Sequence, residues 1–134
     1  MSKSTSNKVA LIVDDDEMDQ YFHQKTIKES GAFDGIKSFH YADDALNYFR
    51  DETNAPIDVI FLDINMPRMD GFEFLEAAYS EFGNSFAKMV VVMVTSSLDP
   101  RDLEKSKKFG VIRDYINKPL SVEVVLKVAD LLED

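Results

Sequence analysis

Apolar positions along this chain alternate between two periods. Val9-Ala10-Leu11-Ile12-Val13, Ile57-Asp58-Val59-Ile60-Phe61-Leu62 and Met89-Val90-Val91-Val92-Met93-Val94 are short runs with few polar interruptions. Runs of this length suit strands buried on both faces. A shorter strand is expected at about 36–41 and a fifth around Tyr115-Ile116-Asn117. Between them the spacing becomes helical. A helix over about 17–30 carries Met18, Tyr21, Phe22 and Lys25 on one side and is capped by Gly31. A second is opened by Asp43 and carries Ala45, Leu46 and Phe49; a third, at about 71–82, carries Leu75, Ala78, Tyr79 and Phe82 and ends at Gly83. Asp99-Pro100 supplies a cap and first-turn proline for the fourth, and about 121–132 forms the fifth. Five strands alternating with five helices predict an α/β fold with a mainly parallel sheet. Residues 1–7 are small and polar and read as a disordered tail, leaving one domain over 8–134. The chain ends just after the fifth helix, so no output domain is expected.

Composition narrows the setting. Hydrophobic residues make up 45% of 134, enough for a packed core. The longest apolar run is far short of a membrane span, and the polar N-terminus lacks the apolar segment of a signal peptide. There is no cysteine, hence no disulfide, thiolate metal site or thiol nucleophile. These features fit a soluble cytoplasmic protein. A net charge of −10 argues against direct nucleic-acid binding, which needs clustered basic residues.

The acids are placed where chemistry is expected. The first strand ends in Asp14-Asp15-Asp16 and the third in Asp63. Ligands of parallel α/β sheets bind beyond the carboxyl ends of the strands. If these two strands are neighbours, the carboxylates converge and require a cation to offset their repulsion. An all-oxygen site of few carboxylates favours a hard divalent ion, Mg2+ in particular. The fourth strand ends in Thr95-Ser96, whose hydroxyls can donate to phosphate oxygens; the fifth ends in Lys118-Pro119, whose ammonium can neutralise a transferring phosphoryl group. A carboxylate can itself be the nucleophile and form an acyl phosphate.

Taken in order, Val13-Asp14-Asp15-Asp16, Leu62-Asp63-Ile64-Asn65-Met66-Pro67-Arg68-Met69-Asp70-Gly71, Val94-Thr95-Ser96 and Tyr115-Ile116-Asn117-Lys118-Pro119 resemble the motifs of response-regulator receiver domains, over about residues 8–133. The resemblance implies a flavodoxin-like three-layer sandwich with strand order 2-1-3-4-5. It implies that Asp63 is phosphorylated by a sensor histidine kinase or histidine phosphotransfer protein. By the same resemblance, Asp15, Asp63 and the Asn65 carbonyl ligate Mg2+, and Asp14 acts through a metal-bound water. Thr95 and Lys118 contact the phosphoryl group, Lys118-Pro119 is cis, and Thr95 couples to Tyr115 as a switch. Asn65 and Ser97 influence phosphate lifetime. The protein is then a signalling phosphoacceptor rather than an enzyme, acting on a downstream protein that the sequence does not name. Gly110 to Tyr115 is one residue longer than the family stretch, so the turn before the fifth strand is expected to differ.

Each residue also has a plainer reading. Asp14–Asp16 could cap the first helix, and Asp16 is read as doing only that. The spacing and central glycine of a calcium loop are absent. Asp70 is read as a cap, Met66 and Met69 as loop packing, and His23 and His40 as surface or half-buried structural histidines. A haloacid-dehalogenase-like phosphohydrolase would want an Asp-x-Asp pair, whereas Asp63-Ile64-Asn65 has one acid. A phosphorylation-independent receiver-like module would be expected to lack one of the acids, Thr95 or Lys118. On the fifth helix, Val122, Val125, Leu126, Ala129 and Leu132 form the expected core stripe, and Val124, Val128 and Leu131 an adjoining apolar flank. That flank either packs on the fifth strand or, with the fourth helix and fifth strand, offers a surface for a target or homodimer. Leu103 and Phe109 are nearly the only apolar residues of the fourth helix, giving it little core anchorage.

Overall fold

The computed structural model describes residues 8–97 and 99–132. The expected tail, residues 1–7, lies outside the described residues, as do residues 133–134 of the expected domain. The elements are β1 (Val9–Val13), α1 (Glu17–Ser30), β2 (Gly35–Phe39), α2 (Ala42–Arg50), β3 (Val59–Asp63), α3 (Gly71–Phe82), α4 (Asn84–Ala87), β4 (Val90–Thr95), α5 (Pro100–Ser106), β5 (Ile112–Asn117) and α6 (Val122–Leu131). All strand pairings are parallel and the sheet order is β2-β1-β3-β4-β5. The expected order holds, with six helices rather than five among the described residues. The extra helix is the single turn α4, hidden from a periodicity reading by its four-residue length.

Strand alternation divides the core into two layers. Leu11, Val13, Ile60, Leu62, Val91 and Met93 face Ala45, Leu46, Phe74, Leu75 and Phe86 from α2, α3 and α4. Ala10, Ile12, Val59, Phe61, Val92 and Val94 face Ile27 of α1 and Val125 and Val128 of α6. β3 and β4 are buried along their whole length, while the edge strands β2 and β5 are part-exposed. The switch in strand order between β1 and β3 puts their two acidic ends side by side.

Two helical faces and one cap differ from the expected ones. On α1, Met18, Tyr21 and Phe22 are exposed, and the inner side carries Gln20, His23 and Ile27. That face abuts strand ends with open carbonyls, so polarity is useful there: Gln20 Nε2 donates to the backbone oxygens of Asp14 (3.0 Å) and Phe39 (2.9 Å). On α6, Val125, Val128 and Ala129 are buried, whereas Leu126 and Leu131 face outward. The apolar arc is wide enough to leave two rotations open from sequence, and packing against Ile27 and Phe61 selects the one with Val128 inside. α2 has Tyr41 at its cap, and Asp43 lies in the first turn, paired with Arg68 at 2.6 Å.

The expected caps hold elsewhere. Asp16 accepts from Asp19 N, Asp70 and Glu73 form a reciprocal capping box, Asp99 caps α5 ahead of Pro100, and Gly31 ends α1 with φ 69°. The extra residue before Tyr115 is absorbed inside β5, not in a turn. Val91 pairs with Ile112 but Val92 pairs with Asp114, so exposed Arg113 is a bulge. The bulge restores register, setting Tyr115 opposite Met93 and Asn117 opposite Thr95.

Candidate functional site

β1 and β3 deliver Asp14, Asp15 and Asp63 to one place, where each offers a carboxylate oxygen within 4.8 Å of the others. Asp14 and Asp63 are buried, at 2% and 6% exposure. The chain is held tightly here. Gly71 N donates to the Ile64 carbonyl, and a Cβ on Gly71 would lie 2.6 Å from the Asp63 carbonyl oxygen. Glycine at the start of α3 is therefore what lets that helix close against the end of β3.

Lys118 crosses the site from the end of β5. Its amide donates to the Thr95 carbonyl at 2.7 Å, and the Lys118–Pro119 peptide is cis, as the resemblance implied. Its Nζ lies 2.7 Å from Asp19 Oδ2, 2.9 Å from Asp14 Oδ2 and 3.6 Å from Asp63 Oδ1. Burial works against the ammonium, but Asp19, Asp14 and Asp63 together hold its pKa above the ordinary lysine value. The carboxylates feel the opposite balance. Burial, reinforced by the Asp14 charge, pushes Asp63 up to about 7 despite Lys118, and burial also raises Asp14. The Lys118 ammonium thus meets three carboxylates, Asp19, Asp14 and Asp63, while Asp14, Asp15 and Asp63 cluster as an all-oxygen donor set with excess negative charge. That is the chemistry of a hard divalent cation site.

Thr95 is fully buried at the end of β4, next to β3. Its hydroxyl donates to the Ser97 carbonyl (3.1 Å) and accepts from Ser97 N (3.2 Å), engaging it with the following loop. Asn65 is exposed, two residues beyond Asp63. Tyr115 is part-buried against the α3-side core, and its hydroxyl has no hydrogen-bond partner among the described residues. Burial, with the Asp102 and Asp99 charges, pushes it up to about 12. The structure therefore brings together Asp14, Asp15, Asp63 and Lys118, with Thr95 one strand away and Tyr115 further back on β5. Of the described histidines, His23 is buried rather than at the surface and lies 4.0 Å from Asp14, and burial pushes its pKa down. Sequence reasoning missed Gln20 and Asp19 and left His23 as a surface or half-buried histidine. Gln20 and His23 share a polar i, i+3 spacing on α1, whereas Asp19 meets Lys118 across 99 residues.

A family model described as the response regulator receiver domain matches residues 10–130. The chain is similar to the sensor histidine kinase CheAY of Helicobacter pylori, at 29% identity over 93% of this chain and 15% of that protein. It is also similar to the transcriptional regulatory protein CitT of Halalkalibacterium halodurans, at 27% identity over 86% of this chain and 47% of that protein. The chain thus spans less than half the length of these curated relatives. Among solved structures, a two-component response regulator from Cytophaga hutchinsonii superposes with a TM-score of 0.86 at 24% identity, covering 96% of this chain and 98% of that one. The chemotaxis response regulator CheY4 of Vibrio cholerae gives 0.75 at 26% identity, covering 95% and 99%.

Proposed function

The chain belongs to the response regulator receiver domain family, and from that premise we propose that Asp63 accepts a phosphoryl group from a phosphohistidine. One observation carries the reading: the buried Asp63 carboxylate shares its pocket with Asp14, Asp15 and the Lys118 ammonium. In the transfer an Asp63 carboxylate oxygen bonds phosphorus as the N–P bond of the donor breaks, the imidazole leaving with the bonding pair. Asp63 must be ionised to attack, and a cation beside it favours the ionised form against the burial that raises its pKa. Asp15 and Asp63, with the Asn65 carbonyl, would hold Mg2+, and Asp14 would reach it through water. Such an ion neutralises charge on the phosphoryl oxygens. Lys118 supplies the fixed positive charge on the other side, and the Thr95 hydroxyl leaves Ser97 to donate to a phosphoryl oxygen.

The switch follows from that movement. Thr95 shifting toward the phosphoryl group changes the space behind it, and Tyr115, with an unsatisfied hydroxyl, reorients in response. The phosphodonor is a sensor histidine kinase or histidine phosphotransfer protein, and the output is contact with a downstream protein or a second copy through α5, β5 and α6. α5 buries no residue, which suits a mobile reporting element. Among the described residues no helix is long and apolar enough to cross a membrane, and we place this chemistry in the cytoplasm, in a signalling phosphoacceptor rather than a turnover enzyme. Incubating the protein with acetyl phosphate and Mg2+ and measuring intact mass tests the reading. Wild type gains one phosphoryl group and Asp63→Asn gains none; an unlabelled wild type would sink it.

A further inference from the structure

Lys118 is not waiting on Asp63. Its ammonium is 0.9 Å closer to Asp19 and 0.7 Å closer to Asp14 than to the Asp63 oxygen. Two of its three protons are therefore committed to carboxylates other than the proposed acceptor. In the reading above Asp14 also acts toward a cation, which relaxes its hold on Lys118. Asp19 has no such second partner among the described residues. It projects from the first turn of α1, and its side chain is one-third exposed, outside the three-acid cluster.

We infer that Asp19 is a positioning residue that holds Lys118 away from Asp63 in the resting protein and thereby sets the rate of phosphoryl transfer. The inference rests on the proposed phosphorylation of Asp63. A phosphoryl group arriving there needs the Lys118 ammonium, which it obtains by competing with Asp19 for a charge-assisted hydrogen bond. The competition is a brake on transfer. The Asp19 carboxylate is not the cap of α1: Asp16 caps the helix by accepting from the Asp19 backbone amide. Removing the charge should leave the helix intact and free the lysine.

The test is the time course of labelling by acetyl phosphate and Mg2+, read by intact mass, for wild type, Asp19→Asn and Asp19→Glu. Freeing one partly exposed charge-assisted hydrogen bond predicts labelling about 3–10-fold faster in Asp19→Asn, with Asp19→Glu staying near the wild-type rate. Equal or slower labelling of Asp19→Asn overturns the inference. The same substitution in a Lys118→Met background separates positioning from simple repulsion of the anionic donor. Acting through Lys118, Asp19→Asn has no effect there; a rate increase retained in that background overturns the inference. Thermal unfolding of each variant confirms that folded protein is compared. If wild type is not labelled, the phosphoacceptor reading itself fails. If wild type is labelled and Asp63→Asn is not, an unchanged Asp19→Asn rate removes this inference alone.

Discussion

At the carboxyl end of the sheet, buried Asp14 and Asp63 meet the part-buried Lys118, and polar Gln20 and His23 line the helix above them. At the amino end, before β3 and β4 begin, the space is filled by rings. Phe86 meets Phe49, Phe74 and Tyr79 at centroid distances of 5.6–6.3 Å, and Phe49 also meets Phe82. The aromatic end needs only burial and edge-to-face packing for stability. The acidic end carries uncompensated charge and raised carboxylate pKa values, a cost that folding alone does not offset. Aromatic packing is thus concentrated at one end of the strands and buried charge at the other.

Removing aromatic packing and removing a buried acidic charge should therefore act in opposite directions. The largest effect is expected from Phe86→Ala, which empties a fully buried site and should cost about 3–5 kcal/mol in chemical denaturation. The folded fraction should still bind Mg2+ as wild type does; a loss of only a few tenths would show that the aromatic end is not the stabilising one. Gly71→Ala comes next. Its methyl would overlap the Asp63 carbonyl, so the loop must shift at a cost of about 1–3 kcal/mol, with Asp63 chemistry disturbed as well.

The smallest effect has the opposite sign. The folded-state pKa of Asp63, about 7, is above its ordinary value of 3.8, so between those values the native state binds more proton than the unfolded chain. Its contribution to stability is full below pH 4 and is lost as pH rises through 7. Without divalent ions, Asp63→Asn should therefore raise Tm by about 3–6 °C at pH 8, and by progressively less toward pH 4. Added Mg2+ should close the gap by stabilising wild type. Burial depresses His23 and gives the reverse slope below pH 6.5, which is why the difference between variants is the informative quantity. A gap independent of pH would contradict the buried-charge account.

How much of this was legible in the sequence follows the same division. The buried strands were readable because Val9–Val13, Val59–Asp63 and Val90–Thr95 are apolar almost throughout. The positions of Asp63 and Lys118 were readable because Asp63 ends β3 and Lys118 directly follows β5. The faces of α1 and α6 were not. On α1 the inward positions are polar, since strand-end carbonyls need donors, so apolarity pointed to the wrong side. On α6 the near-continuous valines and leucines left its rotation undetermined until Val128 packed inside. The Arg113 bulge announced itself only as a residue too many. The Asp19–Lys118 contact, joining α1 to the end of β5, left no local trace at all.

The central claim concerns which atom receives the phosphoryl group, and fragmentation mass spectrometry of the labelled chain addresses it most directly. After incubation with acetyl phosphate and Mg2+, the account predicts a single phosphoryl group on Asp63. A group found on His23, His40, Asp14 or Asp15 instead, with Asp63 unmodified, would contradict it.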